Sequence, residues 1–249
     1  MCFHYSMSQV AQNLENRYNA TVAKGISVIP VHHVSGFNFP LMPVVMAGPD
    51  LEISLLSWGL IPSWVRDPQQ ARDMRPMTLN ARSESVFEKP SFRKPILTRR
   101  CLVPADGFFE WQTVGNKKIP WFIKAKNQEI FSFAGIWDHW SDPKGEQINS
   151  FTILTTDANP MMAEIHNSKK RMPLILPAEM EKSWLDPTTP ADLIRKMMVP
   201  FPEEGLTAWR ISNLITSRGA DTNTPDVKKP FSWGESYPST GYHPSSGMN

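Results

Sequence analysis

The chain has 249 residues, of which 41% are hydrophobic and 20% charged, enough to bury one large core or two small ones, and this excludes disorder throughout. No run reaches the ~18 to 20 uninterrupted apolar residues of a membrane-spanning helix, and two cysteines, Cys2 and Cys101, exclude a disulfide scaffold and a four-cysteine zinc site. The net charge of +2 is unevenly spread, since residues 66–100 hold nine Lys/Arg against four Asp/Glu, a local surplus of +5. With Trp and Phe close by, that stretch suits a phosphate backbone with stacked bases, or simply a solvated face.

In chain order, residues 8–18 read as a helix with Val10, Ala11, Leu14 and Tyr18 on one face. Strands are expected at 51–58, 101–104, 108–111, 119–125, 129–137 and 150–155, all rich in β-branched and aromatic residues. Asn159 before Pro160 is a helix cap followed by a first-turn proline. Short helices over 179–185 and 191–198 follow, then a weaker strand over 206–211. Twenty-three prolines and short apolar runs argue for a sheet-rich fold with many turns. From residue 217 the composition turns to Gly, Ser, Thr, Pro and Asn, with Phe231, Trp233, Tyr237 and Tyr242 scattered through it. This divides the chain into a domain over 1–216 and an irregular tail over 217–249, lying across the domain or disordered at its end. The whole reads as soluble and intracellular.

Cys2 carries the most information. Initiator methionine is normally removed before a small residue, which would place an α-amine and a thiol on one terminal residue. An α-amine of reference pKa ~7.7 to 8.0 is partly unprotonated near neutrality and attacks carbonyls. With an aldehyde the amine condenses to a Schiff base and the thiol then closes a five-membered thiazolidine, an intramolecular step. The alternative is an incidental cysteine on a frayed terminus. Glu110, among Phe108, Phe109 and Trp111, is either an ion-paired structural carboxylate or an acid with a raised pKa. His166, just before Lys169, Lys170 and Arg171, is either a catalyst or a packed or surface residue. Cys101 reads as a buried structural thiol.

Cys2, the NAR segment Asn80–Arg82, the PADGFFEW segment at 104–111, and His166 followed by Arg171-Met172-Pro173 together resemble the SRAP family of abasic-site processing proteins. The matching segments run from residue 2 to about 211. The resemblance implies one compact α+β domain with a barrel-like antiparallel core and few short helices, needing no cofactor or metal. It also implies a monomer that crosslinks the ring-opened aldehyde of an abasic site in single-stranded DNA, with lyase and self-cleaving peptidase activities attached to the family. For a bacterial source it implies a cytoplasmic, nucleoid-associated protein.

Carried over by position, Cys2 is the nucleophile, Asn80 holds its amine, and Glu110 and His166 are acid/base groups. Arg82 contacts phosphate, as do Lys169, Lys170 and Arg171 beside the histidine. Trp58, Trp64, Phe39 and Pro40 resemble elements that stack on or wedge against bases, with a core role for Trp58 the open alternative. Two departures stand out: Phe3 and His4 replace the usual Gly and Arg after the cysteine, and four residues separate His166 from Arg171 where the family spacing is tighter. Two other functions use the same residues. An N-terminal-cysteine peptidase or amidase would turn over a peptide instead of trapping an aldehyde, and a noncovalent single-strand binder would not need Cys2.

Overall fold

The alternating apolar runs are taken up by two sheets in the computed structural model, which describes residues 2–142 and 144–234. The chain begins with β1 (His4–Met7), helix α1 (Ala11–Tyr18) and the two-residue β2 (Thr21–Val22), then runs through β3 (Val31–Ser35), β4 (Leu41–Met46) and β5 (Glu52–Trp58). Helix α2 (Pro68–Met74), β6 (Asn80–Arg82) and the single turn α3 (Pro95–Thr98) lead to β7 (Arg100–Ala105), β8 (Gly107–Val114), β9 (Lys117–Ala125), β10 (Phe131–Ser141) and β11 (Gln147–Asp157). Helix α4 (Pro160–Ile165), β12 (Arg171–Pro173), β13 (Ile175–Leu176), helices α5 (Ala178–Leu185) and α6 (Ala191–Lys196), and β14 (Leu206–Arg210) follow.

Strands β11, β10, β7, β4 and β5 are successive antiparallel neighbours, and β5 pairs back onto β11 to close a barrel. That closing seam is parallel, at Ser57↔Ser150 and Trp58↔Phe151, so the barrel is not antiparallel throughout. A second sheet, in the order β14-β9-β8-β1-β3, lies beside it. Only Asp106 separates β7 from β8, so the chain changes sheets there. The next residue must be glycine, because a Cβ at Gly107 would lie 2.0 Å from the Phe122 ring.

Successive side chains of a strand point to opposite faces, and this sorts β8. Phe108 enters the main core, edge-on to Phe133 at 5.9 Å. Phe109 enters a second cluster with Phe122, Ile211, Ile215 and Val227, against which Trp111 packs. The expected strands form and most are lengthened by pairing. The first helix begins at Ala11 instead of residue 8, because Asp106 Oδ2 accepts hydrogen bonds from both the backbone N–H (2.9 Å) and the hydroxyl of Ser8.

Past residue 216 the chain continues over the second sheet. Val227 is fully buried, and Lys228 Nζ donates to Ser6 Oγ (3.1 Å) and Ser8 Oγ (2.9 Å) and lies 3.4 Å from Asp106 Oδ2. Trp233 Nε1 donates to the Ile211 carbonyl at 2.9 Å. Tyr237 and Tyr242 lie outside the described residues. Among the described residues no helix is long and apolar enough to cross a membrane.

Candidate active site

β1 is held between β8 (Tyr5↔Phe108) and β3 (Tyr5↔Val34), which fixes the residues just before it. Cys2 is fully buried there, its thiol donating to the His4 carbonyl at a sulfur–oxygen distance of 3.7 Å. Burial pushes the thiol far above its ordinary range, and the charge of Glu110 adds to the effect. Asn80 is brought alongside by β6, which pairs in parallel with β11 at Ile153↔Asn80. Its Nδ2 donates to the Cys2 carbonyl at 2.9 Å. The contact seen is therefore to the carbonyl, not the amine. Asn80 Oδ1 is buried without a hydrogen-bond partner among the described residues, an acceptor in place for a nearby N–H.

His166 sits at the C-terminal end of α4, where its Nδ1–H donates to the Arg171 carbonyl at 2.8 Å. That bond fixes the tautomer, because a carbonyl only accepts. Nε2 is then the unprotonated nitrogen, and it lies 3.9 Å from Glu110 Oε2. Burial pushes the Glu110 carboxyl up to about 7 and the His166 imidazole down to about 4. Near neutrality, Glu110 thus holds its proton for much of the time beside a neutral imidazole. The four residues between His166 and Arg171 are taken up locally. They form a turn closed on the His166 carbonyl by the Lys170 N–H (2.8 Å), with Lys170 in the left-handed region at φ 49°.

Glu110 and His166 share a cavity of about 340 Å³ with Phe3, His4, Trp111, Lys118, Ser168 and Lys169. Lys169 is the expected phosphate contact that lines it. Arg82 and Lys170 are exposed but do not line it. Arg171 is a correction: its guanidinium is buried and donates to Glu84, to Asp157 Oδ1 (3.0 Å) and to the Thr155 carbonyl (2.8 Å), which leaves it committed within the fold. Although partial burial opposes it, the hydrogen bonds from Arg171 hold the Glu84 carboxyl down to about 2. The segment carrying Asn80 is thus tied to the loop carrying His166.

Trp58 is a second correction. It is fully buried, stacked on Phe151 at 6.2 Å, with Nε1 donating to the Leu79 carbonyl at 2.8 Å, and it presents no face to a base. Trp64 is 45% exposed. Phe39 is half-buried in the left-handed region at φ 49°, with the Arg75 guanidinium 4.2 Å from its ring, and Pro40 follows it into β4. Two cations of the basic stretch serve the fold: Arg99 pairs with Asp138, and Arg100 donates to the carbonyls of Trp184, Ile96, Leu97 and Asp186. Trp58→Ala is expected to cost ~3 to 5 kcal/mol, while Trp64→Ala leaves thermal stability nearly unchanged. Thermal unfolding of the two variants checks the assignment, and equal losses would overturn it.

Sequence reasoning missed Lys118 as a neighbour of the site and Arg75 as the cation over Phe39, and treated His4 only as a replacement for the family's arginine. Lys118 projects from β9, with Nζ donating to Thr113 Oγ1 across the hairpin (2.7 Å), and only the β8–β9 register brings it to the cavity.

The family model described as SOS response associated peptidase (SRAP) matches residues 1–218. The chain is 38% identical over 189 residues to the abasic site processing protein YoqW of Bacillus subtilis, covering 75% of this chain and 80% of that one. It is 35% identical over 204 residues to the abasic site processing protein HMCES of Gallus gallus, covering 72% of this chain and 57% of that one. A solved structure of a protein from Bacteroides thetaiotaomicron matches with a TM-score of 0.86 at 40% identity, covering 92% of this chain and all of that one.

Proposed function

Since this chain belongs to the SRAP family, we propose that it processes abasic sites in single-stranded DNA by trapping the ring-opened sugar aldehyde on Cys2. The observation that carries this reading is the placement of Cys2, tied through its carbonyl to Asn80, near a Glu110 carboxyl that faces the unprotonated Nε2 of His166. An abasic sugar is mostly a closed hemiacetal, and opening it requires a proton on the ring oxygen and removal of one from the hydroxyl. Glu110 donates and His166 accepts: burial keeps the carboxyl protonated for much of the time and the imidazole neutral, so each starts in the form its role needs.

Once Met1 is removed, the Cys2 amine adds to the aldehyde carbon, and its proton passes to the carbonyl oxygen. That oxygen leaves as water after a second protonation by Glu110, giving the Schiff base. Asn80 Oδ1 accepts from the amine and orients its lone pair. The thiol then adds to the same carbon, its proton moving to nitrogen, the protonated ring returns one proton to Glu110, and the thiazolidine is formed with the net loss of one water. Lys169, Lys118 and Arg82 supply positive charge for the phosphate backbone, and Phe39, Pro40 and Trp64 supply apolar surface for bases. Burial that keeps the thiol protonated favours this amine-first route over thiolate attack on a peptide bond.

Intact mass spectrometry tests the reading directly. The expected protein lacks Met1 and, after incubation with an abasic oligonucleotide, gains the mass of the oligonucleotide less one water. A mature chain that retains Met1 and gains no adduct would overturn it.

A further inference from the structure

We propose that His4, His33 and Thr222 form a proton relay that opens into the cavity holding Glu110 and His166, with His4 at its inner end and Thr222 at its outlet. The proposal rests on the aldehyde-trapping reading of that cavity. His4 lines the cavity, and its Nδ1 lies 3.0 Å from His33 Nε2. His33 Nδ1 lies in turn 2.9 Å from Thr222 Oγ1, and Thr222 is half-buried between the exposed residues Asp221 and Asn223. The two imidazole planes are within 13° of parallel with centroids 5.2 Å apart, and the facing nitrogens lie at hydrogen-bond distance. The chain is braced by aromatic edges, His4 on Trp111 and His33 on Phe109.

Only one proton fits between two ring nitrogens at that distance, so the neutral pair has two arrangements. In the first, His4 Nδ1–H donates to His33 Nε2 and His33 Nδ1–H donates to Thr222, leaving His4 Nε2 bare. In the second, His33 Nε2–H donates to His4 Nδ1, the Thr222 hydroxyl donates to His33 Nδ1, and His4 Nε2 carries a proton. Passing from the first to the second takes a proton from the cavity onto His4 Nε2, moves one from His4 to His33 and one from His33 to Thr222, and releases the hydroxyl proton to solvent. One proton leaves the cavity, and no charge stays on the chain. Burial holds both rings down to about 4 and so keeps them neutral between turns of the relay.

The titratable groups that share the cavity with His4 are Glu110, His166, Lys118 and Lys169. His33 meets Phe109 from β8 and Thr222 from the C-terminal segment, while Lys228 and Asp106 act on the neighbouring His32. Opening the hemiacetal and expelling water each need a proton returned to Glu110 or withdrawn from His166. In a cavity closed over by DNA, a path to solvent resets both groups.

Two measurements test this. Nitrogen-15 spectra of the histidine rings in the free protein need no DNA. The relay requires His4 and His33 to exchange between tautomers at neutral pH, and Thr222→Val to shift both rings together toward one form. Rings locked in single tautomers, unmoved by Thr222→Val, would overturn it.

The second measurement is the crosslinking rate against pH. Gln at position 33 can hydrogen-bond His4 but cannot pass a proton, so His33→Gln is expected to slow the reaction about tenfold, below the ~10²-fold of a directly acting group, with a changed pH profile and unchanged DNA affinity. Parent rate and profile in His33→Gln would mean that His33 only positions His4, and the relay would be wrong. A parent protein that forms no adduct would sink the aldehyde-trapping reading, and the ring spectra would still decide the relay.

Discussion

Cys2→Ala is expected to abolish the heat-stable adduct with abasic single-stranded DNA. The substitution keeps the α-amine but removes the sulfur, so the reaction stops at a Schiff base that water reverses and borohydride traps. Cys2→Ser adds a hydroxyl, a far weaker nucleophile than sulfur, and should behave similarly, with only a labile adduct. The gap is large because ring closure is intramolecular and removes the imine from equilibrium. Binding of undamaged strands should persist in both variants, since Cys2 is fully buried and carries none of the exposed positive charge. Denaturing electrophoresis with and without borohydride, beside fluorescence anisotropy for affinity, reads both quantities. A heat-stable adduct in Cys2→Ala would assign the chemistry to another nucleophile, and loss of the parent adduct without loss of binding would leave a noncovalent single-strand binder.

Glu110→Gln should lower the crosslinking rate by ~10²-fold, the lower end for a positioned acid or base, with DNA affinity retained. The same substitution carries a stability signature. Burial raises the folded-state pKa of Glu110 from 4.5 to about 7, so the fold holds its full stability below the unfolded value and loses it as pH rises through 7. Gln cannot ionise and escapes that loss. Above pH 8 the variant should therefore be more stable than the parent by up to about 3 kcal/mol, with no difference near pH 4. Thermal unfolding across that pH range measures it. Parent-rate crosslinking together with equal stability at all pH values would make the carboxylate a paired structural group.

The segments legible in the sequence were those with local chemistry. β5 and β7 to β11 announce themselves by β-branched and aromatic runs, and α4 by its cap, with Asn159 Oδ1 accepting from the Met162 N–H at 2.8 Å. β6 is a strand only because β11 offers it a parallel partner, and nothing local in Asn-Ala-Arg requires one. β4 carries Pro43 at its centre, a residue that argues against a strand until its partners on β5 are known. In the site, Cys2 and Glu110 were legible because their neighbours set their chemistry. Arg171 was misread as a phosphate contact because Glu84 and Asp157, which neutralise it, lie 87 and 14 residues away. His33 was missed for the same reason, being 29 residues from His4.

The contact of Lys228 with Ser6 and Ser8 spans 222 and 220 positions of the chain, and Thr222 reaches His33 across 189. Strands β1 and β3 are therefore secured by residues about two hundred positions away, a topology of high contact order. Until Lys228 is in place β1 lacks that clasp, which makes β1 and the residues just before it late to be fixed in the fold.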